Sequence, residues 1–385
     1  MVCRGSIEHH SIHKQSNLKY YIIAGEASGD LHASNLIKEM RKKDVQAEIR
    51  AWGGDLMEAQ GAEIIKHYRE LAFMGFAEVI MNLPTILSNI SHCKKDILAF
   101  KPDVLVLVDY PGFNLRIAEW AHKLGIKVAY YISPQIWAWK KNRVFKIKKY
   151  VDEMIVILPF EKEFYAKYGF SVSYVGHPLL DALPAASQNK QAFIDEHKLN
   201  TKPIIALLPG SREQEIKKML SIMLKQIDLF PNYQFVIAAA PSINDSFYQQ
   251  IIGDYKVSII KDKTHRLLQH SHAALVTSGT ATLETALIGI PEVVCYKGNQ
   301  ISYEIAKRIV DIKYISLVNL IMDKEVVTEL IQNKLTTKSI QNELNKILSG
   351  TTRKQMLNEF AKLKEKLGSG GASERAAEII TKILD

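Results

Sequence analysis

The chain of 385 residues is poor in cysteine, with only Cys3, Cys93 and Cys295. Their number is odd and no two of them have C-x-x-C spacing, which predicts a reducing, cytoplasmic setting. The chain also lacks a signal peptide and any uninterrupted apolar run of about 18–20 residues, so no membrane-spanning helix is expected. No nucleic-acid-binding motif accompanies the formal net charge of +9. The positive charge therefore favours an anionic lipid surface or a phosphorylated substrate over nucleic acid.

Two common ligand-binding signatures are also missing. No turn has the glycine spacing of a dinucleotide fingerprint or of a P-loop, so NAD and ATP fit poorly. No Asp-x-Asp pair occurs, so a divalent metal that bridges a nucleotide is not expected. Glu8, His9, His10 and His13 could form a metal site on paper, but residues 1–19 are polar and are predicted to be a disordered extension. The sequence therefore predicts neither a metal nor a cofactor.

After residue 19, short apolar runs typical of buried strands alternate with helical patterns. The predicted strands are 20–24, 48–52, 104–108, 128–132, 154–158, 204–208, 234–239, 257–260, 273–277 and 292–296. Such alternation predicts an α/β fold with parallel sheets covered on both faces. We expect two Rossmann-like domains, residues 20–180 and 185–350, facing each other across a cleft. Residues 351–385 have the pattern of two helices, broken at 368–371, that cross back to the first domain.

The most informative turn follows the apolar run 273–277. Ser278, Gly279 and Thr280 precede apolar residues at helical spacing, which predicts a strand, a turn and a helix. Free backbone N–H groups and the positive end of the helix dipole suit a phosphate there. Glu284 lies about one helical turn later, within reach of ribose hydroxyls. Taken alone, an ordinary helix cap explains these residues equally well.

A second turn of this kind lies upstream and decides between the two interpretations. The apolar run 203–208 is followed by Gly210, Ser211 and Arg212, and then by a helical pattern. The planar guanidinium of arginine grips phosphate oxygens with two parallel hydrogen bonds. Two such turns in one α/β half, one with an arginine and the other with a threonine and a glutamate, predict a nucleotide-sugar site.

A candidate catalytic carboxylate stands at the end of the buried run 104–108. Asp109 would face the cleft from the carboxyl end of a strand, where open sheets usually place catalytic groups. The alternative is an aspartate that caps the next helix, but Asn114 is the better candidate for that cap.

The turn after the first predicted strand carries rival polar groups. Glu26, Ser28 and Gly29 are expected to hold a hydroxyl or phosphate of the substrate. Asp30 is a rival base, although an acid near a helix N-terminus is favourable in any case. His177, at the domain junction, is expected to be a packing residue rather than a catalytic one.

Two surfaces predict contact with lipid. Residues 76–90 carry apolar side chains at helical spacing with few charges opposite, although a core helix has the same pattern. Trp137 and Trp139 precede the segment 140–149, which is rich in lysine and arginine and contains no acid. Tryptophan beside basic residues suits an anionic membrane surface, and a solvated helix face is the alternative. The stripe expected to enter the bilayer and admit acyl chains consists of Val79, Ile80, Leu83, Ile86 and Leu87.

Segments in order from residue 20 to the C-terminus resemble the lipid-A-disaccharide synthase family. They are AGEASGD (24–30), LAFMG (71–75), DYPGFN (109–114), SPQIWAW (133–139), LPFE (158–161), VGHP (175–178), LPGSR (208–212), SGTATLE (278–284) and SLVNL (316–320). The resemblance implies a GT-B fold and a metal-free glycosyltransferase. It implies transfer from UDP-2,3-diacylglucosamine to 2,3-diacylglucosamine 1-phosphate, which yields UDP and a β-1,6-linked lipid A disaccharide. A peripheral position on the cytoplasmic face of the inner membrane is expected.

The resemblance also implies roles for single residues. Asp109 would be the base, Arg212 and Glu284 would hold UDP, and Asn319 would lie near the diphosphate. Gly112 stands where the family commonly has an acid, which weakens any scheme with two carboxylates. An α-linked donor that gives a β-linked product requires a single inversion with one base.

Two other functions fit parts of the same pattern. A UDP-sugar 2-epimerase of the same fold would need further carboxylates in the cleft and no lipid surface. A non-catalytic nucleotide-sugar-binding protein at the membrane would need no base. The sequence leaves the oligomeric state open, and a homodimer is compatible with it.

Overall fold

Two parallel β-sheets form the core of the protein, whose computed structural model describes residues 18–71, 83–183, 189–277, 279–300, 303–304 and 312–384. The strands of the first sheet are β1 (Lys19–Ala24), β2 (Glu48–Gly53), β3 (Glu63–His67), β4 (Val104–Val108), β5 (Lys127–Tyr131), β6 (Glu153–Val156) and β7 (Ser173–Tyr174). Their order is β3-β2-β1-β4-β5-β6-β7. Strand β4 consists of valine and leucine alone and is buried throughout, as a central parallel strand must be.

The second sheet has six strands in the described part of the chain. They are β8 (Ile204–Leu208), β9 (Gln234–Ala239), β10 (Ser258–Lys261), β11 (Ser271–Thr277), β12 (Glu292–Tyr296) and β13 (Glu329–Ile331). Their order is β10-β9-β8-β11-β12-β13. Strands β8 and β11 pair in parallel, so the turns that follow them lie side by side.

Helices connect the strands and cover the sheets. In the first domain, which carries the first sheet, they are α1 (Ala27–Lys43), α2 (Asp55–Ala59), α3 (Leu83–Phe100), α4 (Pro111–Lys123), α5 (Arg143–Tyr150), α6 (Pro159–Ala166) and α7 (Leu179–Ala182). In the second domain they are α8 (Lys190–Glu196), α9 (Glu213–Met223), α10 (Asp245–Ile252), α11 (Thr264–Gln269), α12 (Thr280–Ile288), α13 (Leu317–Met322) and α14 (Thr337–Leu348). Across the described ranges, no helix combines the length and apolar character needed to cross a bilayer.

The C-terminal tail forms α15 (Gly350–Leu367) and α16 (Ala372–Thr381) and returns to the first domain. Helix α16 packs against α1. The carboxylate of Asp181 accepts hydrogen bonds from the N–H groups of Gly371 at 2.5 Å and Ser373 at 2.8 Å. Arg375 donates to the carbonyl of Val175 at 2.7 and 2.9 Å. The predicted fold class, two facing α/β domains with a tail that crosses back, is confirmed.

All the predicted strands are present, with ends that differ by up to two residues. Strands β3, β7 and β13 were not predicted, because they are short and only partly buried. The helical pattern after Arg212 is an α-helix only to Met223 and continues as a 3-10 helix over Leu224–Leu229.

Candidate active site between the two sheets

The turn after β4 places Asp109 in the middle of the carboxyl edge of the first sheet. Asp109 and Tyr110 have left-handed backbone conformations, with φ of 45° and 48°, which are uncommon outside glycine and concentrate at functional sites. The hydroxyl of Tyr130 donates to the Asp109 carbonyl at 2.5 Å, and the amide of Asn114 donates to it at 2.8 Å. Two side chains therefore hold this strained turn.

Asn114 does not cap α4, and that prediction was wrong. The helix begins at Pro111, and Tyr110 before it makes no side-chain cap; proline suits the first helical position. Asn114 is buried one turn later, and its amide also donates to the carbonyl of Val108 at 3.3 Å. Asp109 stands one residue before the cap position, so capping does not account for its carboxylate.

The environment of the Asp109 carboxylate raises its pKa from 3.8 to about 6. Burial is the largest cause, the negative charge of Glu26 adds to it, and the N–H of Tyr110 partly offsets both. A carboxylate with such a pKa is a stronger base than usual and is still ionised at neutral pH. The side chain therefore suits proton abstraction.

The turns after β1 and β4 lie against each other because these strands are neighbours. A Cβ atom at Gly25 would lie 2.4 Å from the ring of Tyr110, so only glycine permits this close approach. Glu26 and Ser28 are exposed at the start of α1, and Gly29 is buried there. The structure thus places the predicted acceptor-binding residues beside the candidate base.

Asp30 is buried and is not available as a base. Its carboxylate accepts hydrogen bonds from the N–H groups of Gly54 at 2.8 Å and of Leu56 and Met57 at 3.2 Å. These groups form the N-terminus of α2, which Asp30 caps from a neighbouring helix. These bonds give the Asp30 carboxylate a structural role, and Asp109 stays the predicted base.

The two predicted phosphate-binding turns meet at the carboxyl edge of the second sheet. Gly210 and Gly279 have φ of 111° and 132°, conformations that favour glycine. Arg212 is exposed directly before α9, and Thr280 is exposed as the first residue of α12. Helix N-termini and a guanidinium thus lie at one edge, which suits phosphate. Ser278 lies outside the described residues.

The turn around Gly210 already holds an anionic group, which the sequence analysis missed. The carboxylate of Glu215 accepts a hydrogen bond from the N–H of Ser211 at 3.2 Å. Burial raises the pKa of Glu215, while the Ser211 N–H and the charge of Arg212 lower it. An internal carboxylate therefore occupies the N–H group that we expected to face phosphate. Its signal in the sequence was an acid in the first turn of a helix.

Glu284 lies about one turn into α12 and faces His265 of α11, with 3.5 Å between the imidazole Nε2 and a carboxylate oxygen. Nothing in the sequence distinguished His265 from a surface histidine. Burial lowers the pKa of His32 on α1 to about 4, and the charge of Glu284 opposes that shift. Since Glu284 acts on a helix of the first domain, the two sheet edges face each other.

Asn319 is fully buried, and the structure does not support its expected contact with the diphosphate. Its Nδ2 donates to the carbonyl of Val327 at 2.8 Å and to the carboxylate of Glu329 at 2.9 Å. Its Oδ1 accepts from the N–H groups of Val326 at 2.7 Å and Val327 at 3.0 Å. These bonds use both donors and both lone pairs of the amide. Asn319 therefore fixes the segment after α13.

The two tryptophans expected at the membrane have different surroundings. Trp139 is 40% exposed, and the charged groups of Lys140 and Arg143 lie 4.2 and 5.7 Å from its ring centre. Trp137 is buried, and its indole N–H donates to the carboxylate of Glu161 at 3.2 Å. The predicted membrane contact of Trp137 is wrong, because the loop after β5 turns this ring inward.

The predicted apolar stripe is described only in part. Leu87 on α3 is 54% exposed, whereas Ile86 packs against the core of the first domain, contrary to the prediction. Val79, Ile80 and the side chain of Leu83 lie outside the described residues. Helix α3 thus has one face in the core and another in solvent.

His177, at the domain junction, has a structural role. Nδ1 of His177 accepts a hydrogen bond from the N–H of Leu179 at 3.2 Å, and burial lowers the pKa of His177 to about 3.

Over the described ranges, no group of three or more histidine, cysteine or acidic residues is arranged to hold a metal.

Comparison with known proteins identifies the family. Residues 20–383 match the family model described as lipid-A-disaccharide synthetase. The chain is 37% identical over 375 residues to the lipid-A-disaccharide synthase of Geobacter metallireducens, covering 96% of this chain and 98% of that protein. It is 39% identical over 364 residues to the enzyme of the same name from Syntrophus aciditrophicus, covering 92% and 95%.

Solved structures with the same fold are more distant in sequence. A UDP-GlcNAc 2-epimerase from Neisseria meningitidis bound to UDP-GlcNAc matches with a TM-score of 0.64 at 15% identity, covering 95% of this chain and all of that one. The glycotransferase of kitacinnamycin matches with a TM-score of 0.67 at 11% identity, covering 96% and 100%. These likenesses show the GT-B fold alone. The family match along nearly the whole chain establishes that the chain belongs to the lipid-A-disaccharide synthase family, as a glycosyltransferase of lipid A biosynthesis.

Proposed function

We propose that the enzyme transfers a diacylglucosamine unit from UDP-2,3-diacylglucosamine to 2,3-diacylglucosamine 1-phosphate, with inversion. The products are UDP and a β-1,6-linked disaccharide 1-phosphate. The observation that carries this proposal is the Asp109 carboxylate, with its pKa raised to about 6, opposite an edge that presents Arg212 and two helix N-termini.

Asp109 is the base in this reaction. Its carboxylate takes the proton of the acceptor 6-hydroxyl while that oxygen attacks the anomeric carbon of the donor. The bond between that carbon and the diphosphate breaks on the opposite face, and its electron pair leaves with UDP. One displacement converts the α-linked donor into a β-linked product, so one carboxylate is sufficient.

The second domain holds UDP. Arg212 and the N-terminus of α12 neutralise the diphosphate, and Glu284 accepts hydrogen bonds from the ribose hydroxyls. A phosphate of UDP displaces the Glu215 carboxylate from the Ser211 N–H, because both anions accept a hydrogen bond from this donor. We expect activity to survive a chelator; its loss, with recovery on adding magnesium, would refute neutralisation by protein groups alone.

The acylated substrates place the enzyme at a membrane surface, on the cytoplasmic face of the inner membrane. Exposed Trp139 and Leu87, with the basic helix α5, are the described groups that favour an anionic bilayer. Trp139→Ala should reduce co-sedimentation with anionic vesicles, and Leu124→Ala, at the exposed residue directly after α4, is the control. Equal binding of both variants would argue against this surface.

The alternative within the same fold is a UDP-sugar 2-epimerase, because an enzyme of that class shares this fold. The deciding experiment incubates the chain with UDP-2,3-diacylglucosamine and the acylated 1-phosphate acceptor, and separately with UDP-GlcNAc. We expect UDP release and a disaccharide of the summed mass only when both acylated sugars are present. Epimerised sugar from UDP-GlcNAc, with no disaccharide, would refute the proposal.

A further inference from the structure

A cavity of about 430 Å³ lies between the two domains, to one side of the proposed site. The first domain contributes Trp137, Pro159 and Phe160, and the second contributes Leu320 and Ile321 of α13. This volume is within the range of about 300–1,000 Å³ that small-molecule sites occupy. Neither the proton transfer nor the UDP contacts proposed above use these residues.

The floor of the cavity is apolar and its margin is charged. Trp137 and Phe160 meet edge to face, with 4.9 Å between ring centres. Around them the cavity is lined by charged Glu163, Lys313 and Asp323. An apolar floor with a polar margin suits an amphiphile whose chain lies inside and whose polar end stays near water.

The aromatic floor is built rigidly. The carboxylate of Glu161 is buried, accepts the Trp137 indole N–H at 3.2 Å, and also accepts the N–H groups of Ile157 and Leu158 at 3.2 and 2.9 Å. The turn after β6 and the loop after β5 are thereby joined through one side chain. Glu161 is a positioning residue, which keeps the indole in place as a cavity wall.

The cavity opens along the same sheet edge as the candidate base. Asp109 follows β4, the loop with Trp137 follows β5, and Phe160 follows β6. Because neighbouring strands lie about 4.8 Å apart, β6 is roughly 10 Å along the edge from β4. Phe160 lies in the first turn of the helix that follows β6. A chain attached close to the reacting carbon of the substrate can reach the cavity from there.

We propose that this cavity binds one acyl chain of the donor sugar, the chain on the carbon next to the anomeric centre, and sets the chain length that the enzyme accepts. The proposal rests on the proposed function. The donor is favoured over the acceptor for two reasons. Its 2-linked chain begins one carbon from the reacting centre, whereas the acceptor chains are several bonds from its 6-hydroxyl. The second domain, which holds the donor nucleotide, also supplies Leu320 and Ile321.

Two variants that change the cavity in opposite directions test this. Leu320→Trp narrows it and Phe160→Ala widens it; both wild-type side chains are half-buried at its surface. Leu229→Trp, at an exposed residue of the second domain outside the cavity, is the matched control. For each protein, kcat/KM is measured with donors carrying a short or a long 2-linked chain and one fixed acceptor. The series is then repeated with acceptors of varied chain length.

We expect Leu320→Trp to shift the ratio of kcat/KM values towards the short-chain donor by roughly tenfold or more, and Phe160→Ala to shift it towards the long-chain donor. The control should leave the ratio unchanged, and UDP affinity should be the same in all three variants. An unchanged donor ratio in active, folded variants, or a shift that follows acceptor chain length instead, would overturn the inference. Absence of disaccharide with the wild type would instead refute the proposed function.

Discussion

The two sheet edges that face each other differ in how they use the left-handed backbone region. In the first domain, Asp109 and Tyr110 adopt this conformation although it is uncommon for residues other than glycine. Hydrogen bonds from Tyr130 and Asn114 hold the turn. In the second domain, glycine adopts the same conformation at little cost. The first edge therefore fixes one side chain in a partly desolvated position. The second edge leaves Arg212 and Thr280, the first residue of α12, exposed to a ligand.

This contrast indicates a division of roles. A reacting group needs a fixed position and a tuned pKa, and both require surrounding structure that over-determines the turn. A nucleotide-binding edge needs many donors within reach and little burial before the ligand arrives. Variants at the first edge should therefore affect turnover, and variants at the second should affect affinity.

The largest effect is expected from Asp109→Asn. Removing the base should lower turnover by about 10²–10⁴-fold, because no positioned group then accepts the proton of the acceptor hydroxyl. The dissociation constant for UDP should remain near the wild-type value. Asp55→Asn, at an exposed acid of the first domain, is the control. Near-normal turnover of Asp109→Asn would break the assignment of roles.

The next effect is expected from Arg212→Ala, measured by calorimetric titration with UDP. Loss of a charge-assisted contact to phosphate should weaken binding by about 1.5–3 kcal/mol, which is roughly 10–150-fold. Lys217→Ala, at an exposed residue further along α9, controls for a general loss of positive charge. Equal UDP affinity of Arg212→Ala and wild type would remove Arg212 from the site.

Another buried acid lies at the amino edge of the second sheet, opposite the predicted phosphate-binding turns. Glu292 begins β12, is fully buried, and has no partner for either carboxylate oxygen among the described residues. Burial raises the pKa of Glu292 well above 4.5. The folded state therefore holds its proton more tightly than the unfolded state, and stability is lost as pH rises above about 4.5.

Glu292→Gln should remove this loss. We expect a stability gain of about 1–3 kcal/mol near pH 7.5 and a smaller one near pH 5, by urea unfolding, with unchanged turnover. Glu378→Gln, at an acid on α16 paired with Lys382 at the surface, is the control. Loss of activity with an intact fold would show that the amino edge of the second sheet also contributes to function.

The smallest effect concerns the charge of Glu26. That charge helps raise the Asp109 pKa to about 6, so wild-type turnover should fall as pH drops through this value. Glu26→Gln should lower the Asp109 pKa and move the acid limb of the pH profile to lower pH. Glu26→Asp keeps the charge and should leave the limb in place. If the acid limb of the pH profile lies at the same pH in all three proteins, the ionisation that controls turnover is not that of Asp109.

Much of this arrangement is predictable from sequence, for identifiable reasons. Runs such as 104–108 and 204–208 are apolar without interruption, so buried strands and the turns after them could be found directly. The partners of polar side chains could not. Asp30 and Asn319 resemble site residues in their motifs, and only the fold shows that their side-chain oxygens bind backbone N–H groups of other segments, 24 residues away for Asp30 and 7 for Asn319. Trp137 faces inward because Glu161 accepts its N–H, a contact between separate connections of the sheet.

The stereochemistry of the product tests whether the reaction is a single displacement with Asp109 as the one base. Purified enzyme is incubated with the α-linked UDP-diacylglucosamine donor and the acylated 1-phosphate acceptor, and the new linkage is assigned by proton NMR from its anomeric coupling constant. We expect a β-1,6 linkage formed by the wild type and by Glu26→Gln, and almost none formed by Asp109→Asn. An α-linked product, or a β-linked product formed at the wild-type rate by Asp109→Asn, would contradict this mechanism.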